Sequence, residues 1–140
     1  MFLTRIIYTS TITEKFSVKD VDDILDEARS NNRKKEITGM LCFSRNHFLQ
    51  CLEASRSCVN EIYHKILNDE RHTNIVLLDY NEISEREFSD WSMAYIPNSD
   101  ISEAINLKFS ESSKFNPYKM SGDSAHKMML ALRDNLRVET

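Results

Sequence analysis

The chain has 140 residues, 18 Lys and Arg against 22 Asp and Glu for a net charge of −4, 41% apolar and 29% charged residues, and only two Gly and two Pro. That is one globular domain with room for a short appendage, long enough to bury a core without disulfides or metal and too apolar to be disordered. Gly39 and Gly122 lie too far apart for any glycine-rich phosphate cradle, and an acidic chain with no basic block lacks the electrostatic footprint of direct nucleic-acid binding.

Cys42, Cys51 and Cys58 form an odd set with no CxxC spacing, which suits buried, reduced thiols in a reducing compartment. No run reaches the roughly 18 apolar residues of a membrane span, and the N-terminus lacks the apolar core of a signal peptide. A soluble, cytoplasmic protein is expected.

Residues 2–9 are rich in Ile, Tyr and Thr and read as a strand, with Thr4, Ile6 and Tyr8 on one face and Leu3, Arg5 and Ile7 on the other. The pattern does not say which face is inside. Ser17 and Asp20 resemble a capping box, and Val18, Val21, Ile24, Leu25 and Ala28 then recur at helical spacing, predicting a helix from 18 to 31 or 32. Residues 37–44 and 48–53 are two apolar runs around the polar tetrad Ser44-Arg45-Asn46-His47, the pattern of a hairpin. Val59, Ile62, Tyr63, Ile66 and Leu67 predict a second helix, capped by Ser55 or Ser57 and ending near Asp69. Strands follow at 75–80 and 91–96, the last with Trp91, Met93 and Tyr95 on one face.

The order βαββαββ predicts an α+β fold, a ferredoxin-like sheet with both helices on one face, because right-handed crossovers leave them no other side. Pro97 closes this unit. Asp100 with Glu103 reads as the cap of a helix through about 110, and Ala125, Met128, Met129, Leu132 and Leu136 mark another after Asp123. The expected division is 1–97 as the domain and 98–140 as a C-terminal pair of helices. That tail is too short to fold alone, so it must pack on the domain, a second copy or a partner.

The chemistry starts at Gln50, whose amide shares a strand face with Phe48 and Leu52. A buried amide without partners costs about 1–3 kcal/mol, so that face must supply hydrogen bonds. Taken alone, the position reads first as a satisfied core glutamine or a solvent-facing one. Ile24, Ala28 and Asn32 form a stripe on helix one that starts apolar and ends in an amide, and Ile62, Ile66 and Asp69, with Lys65, do the same on helix two. Two such helices could sandwich a flat heterocycle and read its edge, since an amide presents a donor beside an acceptor. The alternative is that the isoleucines are core and Asn31-Asn32 simply ends the helix. Tyr8, if buried, also needs a partner. Arg33, Lys34 and Lys35 are a solvated loop or a counter-charge for a cofactor phosphate. The four histidines share no metal-ligand spacing, and no GxSxG or HExxH motif occurs, so neither a metal site nor a hydrolytic centre is expected.

Taken together, Arg5-Ile6-Ile7-Tyr8-Thr9-Ser10, Asn31-Asn32, Ile37-Thr38-Gly39-Met40-Leu41, Phe48-Leu49-Gln50-Cys51-Leu52-Glu53, Asp69-Glu70-Arg71-His72 and Phe88-Ser89-Asp90-Trp91-Ser92-Met93 resemble the successive signatures of BLUF domains, the blue-light sensors using flavin. They stand in the family's order across about the first 97 residues, and the chain is similar to the short, stand-alone type. The resemblance implies a flavin, usually FAD but with FMN or riboflavin as options, held between the two helices with Ile24 and Ile66 on its faces. It implies that Asn32 reads the N3 and O4 edge, that Asn31 helps hold the ring or ribityl chain, and that Lys65, Asp69 and Arg71 or His72 line the polar rim. Tyr8 is then the photoreductant, Gln50 the bridge from Tyr8 to the flavin, and Trp91 and Met93 the responders.

By the same resemblance the mechanism is a reversible switch, not turnover. Light draws an electron and a proton from Tyr8, and recombination leaves Gln50 with a changed hydrogen-bonding pattern and a red-shifted absorption that relaxes in the dark. Ala54, Lys65 and Ala28 stand where the family commonly has glycine, arginine and serine; Lys65 offers a point charge where arginine offers a fork. None of these removes Tyr8, Gln50 or Asn32. The expected function is a photoreceptor, not an enzyme, that changes its association as a homo-oligomer or with a downstream regulatory protein. The competing reading is a flavin-free interaction module on the same scaffold.

Overall fold

The computed structural model describes residues 2–89 and 93–136, except the side chains of Val18, Glu27, Asn32, Asn98 and Leu136. Five strands, β1 (Leu3–Ile12), β2 (Thr38–Phe43), β3 (His47–Ser55), β4 (His72–Glu82) and β5 (Ala94–Pro97), form one sheet in the order β4-β1-β3-β2-β5. β1 is antiparallel to both β3 and β4, β2 is antiparallel to β3, and β5 is parallel to β2. The two crossovers, through α1 (Val18–Lys35) and α2 (Arg56–Leu67), interleave. Right-handedness then sends both helices to the same face.

Period-two alternation splits each central strand between two cores. Ile6, Leu41, Phe48 and Leu52 pack with Leu25 of α1, Val59 of α2 and Met93, whereas Ile7, Met40, Leu49 and Cys51 pack with Phe88, Met128, Met129 and Leu132 on the opposite face. Both faces of β1 are thus inside, which is why its pattern did not choose one.

The tail covers the second face. α3 (Glu103–Phe109) and α4 (Gly122–Leu136) pack against it, with Ala125, Met128, Met129 and Leu132 almost completely buried. Gly122 allows the close approach: a Cβ there would collide with the carbonyl of Leu78 on β4. Polar groups fasten the same side. Arg5 pairs with Asp79 at 2.8 Å and with Glu87 at 3.2 Å, and Glu87 also meets His126 of α4 at 2.8 Å. Of the three partners open to the tail, the one it meets here is the domain itself.

Several boundaries differ from expectation. The first helix does not stop at Asn31 or Asn32 but runs to Lys35, with Arg33, Lys34 and Lys35 as a basic last turn that suits the helix dipole. Glu36, with φ of 55°, turns the chain into β2. Ser17 and Asp20 do pair at its start, in the return direction of a capping box, Ser17 N–H donating to Asp20 Oδ2 at 2.6 Å. Ser55, not Ser57, caps α2. The strands at 2–9, 48–53 and 75–80 are longer than expected because edge and turn residues join the ladders. The fifth strand begins at Ala94, so Met93 precedes it; Trp91 lies outside the described residues. Asp100 does not cap α3: it ends a short 3-10 turn, and Ser102 Oγ accepts from Ile105 N–H at 3.1 Å instead.

Candidate functional site

Antiparallel register sets the centre of the site. Tyr8 and Gln50 are directly opposite on β1 and β3, on the face beneath α1 and α2. Tyr8 is 4% exposed, and its hydroxyl donates to Gln50 Oε1 at 2.5 Å. The other end of the amide is also engaged, Nε2 donating to Met93 Sδ at 3.5 Å. The result is a directed chain, phenol to carboxamide to thioether, in which the hydroxyl and one N–H of the amide each have an acceptor. Burial pushes the Tyr8 phenol above its ordinary value, the Asp69 carboxylate and Tyr63 adding to the effect, so the group is neutral at physiological pH.

Beside this chain α1 and α2 leave an open cleft of about 210 Å³, lined by Ile24, Ala28, Asn31 and Lys35 from α1, by Ile62, Lys65 and Ile66 from α2, and by Gln50, Leu52, Met93 and Arg71. A second cavity of about 100 Å³ shares Ile24, Gln50, Ile66 and Arg71 with it and reaches Tyr8, Asp69 and His72. Together they approach the roughly 300 Å³ at which small-molecule sites begin. The walls are aliphatic, the floor is the Gln50 amide, and the mouth carries cations. Lys35 and Lys65 both approach Glu61, at 3.3 and 3.8 Å. A flat ring with a hydrogen-bonding edge and an anionic tail matches that donor set.

All the expected site residues that can be traced come together: Tyr8, Ile24, Asn31, Gln50, Lys65, Ile66, Asp69, Arg71, His72 and Met93 line one or both cavities. The side chain of Asn32 and all of Trp91 lie outside the described residues. The α1 stripe facing the cleft continues through Asn31 and Lys35, at i+7 and i+11 from Ile24. Asp69 and Arg71 form a close pair, Arg71 Nη2 donating to Asp69 Oδ2 at 2.7 Å, which holds the Asp69 carboxyl below its ordinary range. His72 is a clamp. Its Nε2 donates to the carbonyl of Ile66 and its Nδ1 is hydrogen-bonded with Ser10 Oγ, both at 2.8 Å. With both nitrogens occupied, the ring fixes the end of α2 against β1.

The sequence offers Lys35 as a loop residue or a phosphate counter-charge, where the structure has it on α1 lining the cleft, and it gives no sign of Arg29. Lys35 follows from continuing the helical period past Asn31. Arg29, whose Nε donates to the Met93 carbonyl at 3.2 Å, carried no local signal, because its partner is 64 positions away.

The ferredoxin-like sheet thus carries an aliphatic, amide-floored cleft beside a buried tyrosine–glutamine pair, a site shaped for a flat ring with a polar edge. The family model described as BLUF, sensors of blue-light using FAD, matches residues 3–94, and the chain belongs to that family. It is a blue-light sensor whose cofactor is a flavin, FAD by the family's description. Among curated relatives, the blue light- and temperature-regulated antirepressor BluF of Escherichia coli K12 is 40% identical over 80 residues, 56% of this chain and 20% of that protein. A photoactivated adenylate cyclase subunit beta of Euglena longa is 33% identical over 92 residues, 65% of this chain and 11% of that protein. The chain thus spans a fifth or less of the length of these relatives. Solved structures match over nearly the whole chain. The photo-activated state of BlsA superposes with a TM-score of 0.84 at 35% identity, covering 93% of this chain and 94% of that one. The dark-state BLUF protein BlrB gives 0.79 at 27% identity, covering 94% of each.

Proposed function

We propose that the chain works as a reversible photoswitch in which Tyr8, Gln50 and Met93 are the moving parts and the cleft between α1 and α2 holds the flavin. Ile24 and Ile66 would flank the ring, Asn31 and Asn32 would meet its polar edge, and Lys65, Asp69, Arg71 and His72 would form the rim. Bound there, a flavin would supply blue-light absorption and an acceptor for an electron. The protein supplies the proton path. Tyr8 holds a neutral hydroxyl aimed at Gln50 Oε1, so a proton leaving Tyr8 has one acceptor within 2.5 Å. Gln50 can exchange its ends by rotation or tautomerisation, turning an acceptor toward Met93 and a donor toward Tyr8. That exchange stores the light signal without consuming a reactant, and relaxation reverses it. Trp91 is assigned with Met93 as a responder.

The observation that carries this reading is the Tyr8–Gln50–Met93 chain at the cleft floor. The signal would leave through β5 and the tail helices, with 1–97 as the flavin-binding domain and 98–140 as its helical extension. The output is a light-dependent change of association in the cytoplasm, with itself as a homo-oligomer or with a downstream regulatory protein, and without direct nucleic-acid or membrane contact. The relative named as an antirepressor fits such an output. No helix among the described residues is long and apolar enough to cross a membrane.

The decisive experiment records the absorption of flavin-loaded protein before and after blue light. A reversible red shift that disappears in Gln50→Leu is expected. A chain that takes up no FAD, FMN or riboflavin, or a Gln50→Leu variant that shifts normally, overturns the mechanism. Light-dark pull-down and light scattering then test the association.

A further inference from the structure

Arg29 lies on α1 one residue beyond Ala28, and its Nε donates to the backbone carbonyl of Met93 at 3.2 Å. Met93 is the residue whose Sδ accepts from Gln50 Nε2, and it stands one place before the β5 register opens with Met40 opposite Ala94. The guanidinium therefore anchors, from a helix, the backbone of the side chain that anchors the far end of Gln50.

We infer that Arg29 is a positioning residue for the photoresponse: by tying the Met93 backbone to α1 it keeps a sulfur acceptor in front of Gln50 Nε2 and so sets how long the rearranged amide persists. Sulfur accepts a hydrogen bond weakly and has no hydrogen to give. With Oε1 toward Tyr8 and Nε2 toward Met93, both ends of the amide are matched. Reversed, Oε1 faces an atom that cannot donate to it. Met93 thus biases the amide toward the unreversed orientation, and the strength of that bias depends on where the sulfur is held. A methionine side chain is long and adaptable, so its sulfur is placed by what fixes the backbone beneath it. Met93 is 2% exposed and packs with Leu25 and Val59, yet its carbonyl is held by a side chain from α1. The inference rests on the reading of Gln50 as the reorienting group.

The test uses the full, flavin-loaded chain. Arg29→Met keeps the apolar stem of the side chain and removes the donor; Arg29→Lys restores a donor; Met93→Leu keeps the backbone anchor and removes the sulfur. The readouts are the size of the light-induced red shift, the dark-recovery time and the thermal midpoint. Arg29→Met is expected to bind flavin, to shift normally and to recover about two- to fivefold more slowly, the rate equivalent of one weak hydrogen bond. Arg29→Lys should regain part of the parent rate. Met93→Leu should slow recovery to a similar degree, and the double variant should be no slower than the slower single variant, because both act on one contact. A lowered thermal midpoint with unchanged recovery time makes Arg29 merely structural and overturns the inference. Additive slowing in the double variant also overturns it, as does unchanged recovery in Met93→Leu should Arg29→Met fail to fold. Failure of the parent protein to shift at all sinks the reading of Gln50 instead, and the two failures are distinguishable.

Discussion

The two faces of the sheet are made by the same strands, residue alternating with residue, yet they are finished differently. Beneath α4 the strands meet methionine and leucine side chains at full burial, and the polar groups there are tied to one another: Glu53 is wholly buried and accepts from Thr38 Oγ1, Glu87 N–H and Phe88 N–H at 2.8, 2.7 and 3.0 Å. Beneath α1 and α2 the helices stand apart, their isoleucines are half-buried, and the cleft between them opens onto an amide. The first face contributes stability. The second withholds some of it, leaving apolar surface for a ligand to cover, which is the usual arrangement of a binding site on a rigid scaffold. The contrast makes a separation of effects measurable.

The largest expected effect lies on the closed face. Met129→Ala should cost about 2–5 kcal/mol in urea unfolding, the range for emptying a packed core position, while the red shift per bound flavin stays at the parent value. Ile66→Ala, on the open face, should cost about 1 kcal/mol in the flavin-free protein because its side chain is only partly withdrawn from water, yet loosen flavin binding. Loss of the red shift in Met129→Ala with intact fold, or unchanged flavin affinity in Ile66→Ala, would erase the distinction.

Glu53→Ala comes next and sharpens the comparison, because Glu53 belongs to the closed face but fastens the segment that leads to Met93 on the open one. It strands two backbone N–H groups and the Thr38 hydroxyl, for an expected loss of about 1–3 kcal/mol. Unlike Met129→Ala, it should also alter dark recovery. Denaturation and recovery measured on the same preparation check both halves.

Much of this division was legible from alternation alone. Gln50 between Phe48 and Leu52, and Tyr8 beside Ile6, fall on one face by a rule of two, and the ladder then brings them opposite each other. What period cannot show is contact at long range: Arg29 with Met93, Glu53 with the backbone at 87 and 88, and His72 with Ser10 all depend on how loops and crossovers close. At the end of α1, Asn31-Asn32 carries a helix-stop preference that three following basic residues override. Asp100 was a plausible cap that lost to Ser102. Local signals competed there, and packing chose between them.

Cysteine chemistry offers a smaller but cleaner contrast. Cys42 and Cys51 are fully buried on the closed face, and burial pushes the Cys42 thiol up to about 12 and raises Cys51 as well, the Glu53 carboxylate adding to the effect at Cys51. Cys58, in the first turn of α2, is partly exposed. Iodoacetamide at pH 8 should therefore modify Cys58 first and leave the other two until the protein unfolds. Peptide mapping after timed labelling reads the order, and early modification of Cys42 would mean that the closed face opens in the native state.

The smallest expected effect belongs to the rim of the cleft. The Arg71 side chain, donating to Asp69, lowers that carboxyl below its ordinary 3.8 in the folded protein. The unfolded chain therefore takes up the proton at a higher pH than the folded one does. Stability from this pair is complete above the unfolded value and is lost as pH falls through the folded one, so it shapes only the acid limb of the stability curve. Because the pair is partly open to solvent, Asp69→Asn should cost at most about 1 kcal/mol at neutral pH. The variant and parent should converge as the pH drops below 4. Urea midpoints measured from pH 7 down to the acid transition test this. Parallel curves, with the same gap at every pH, would show that the loss comes from packing at the rim and not from the charge.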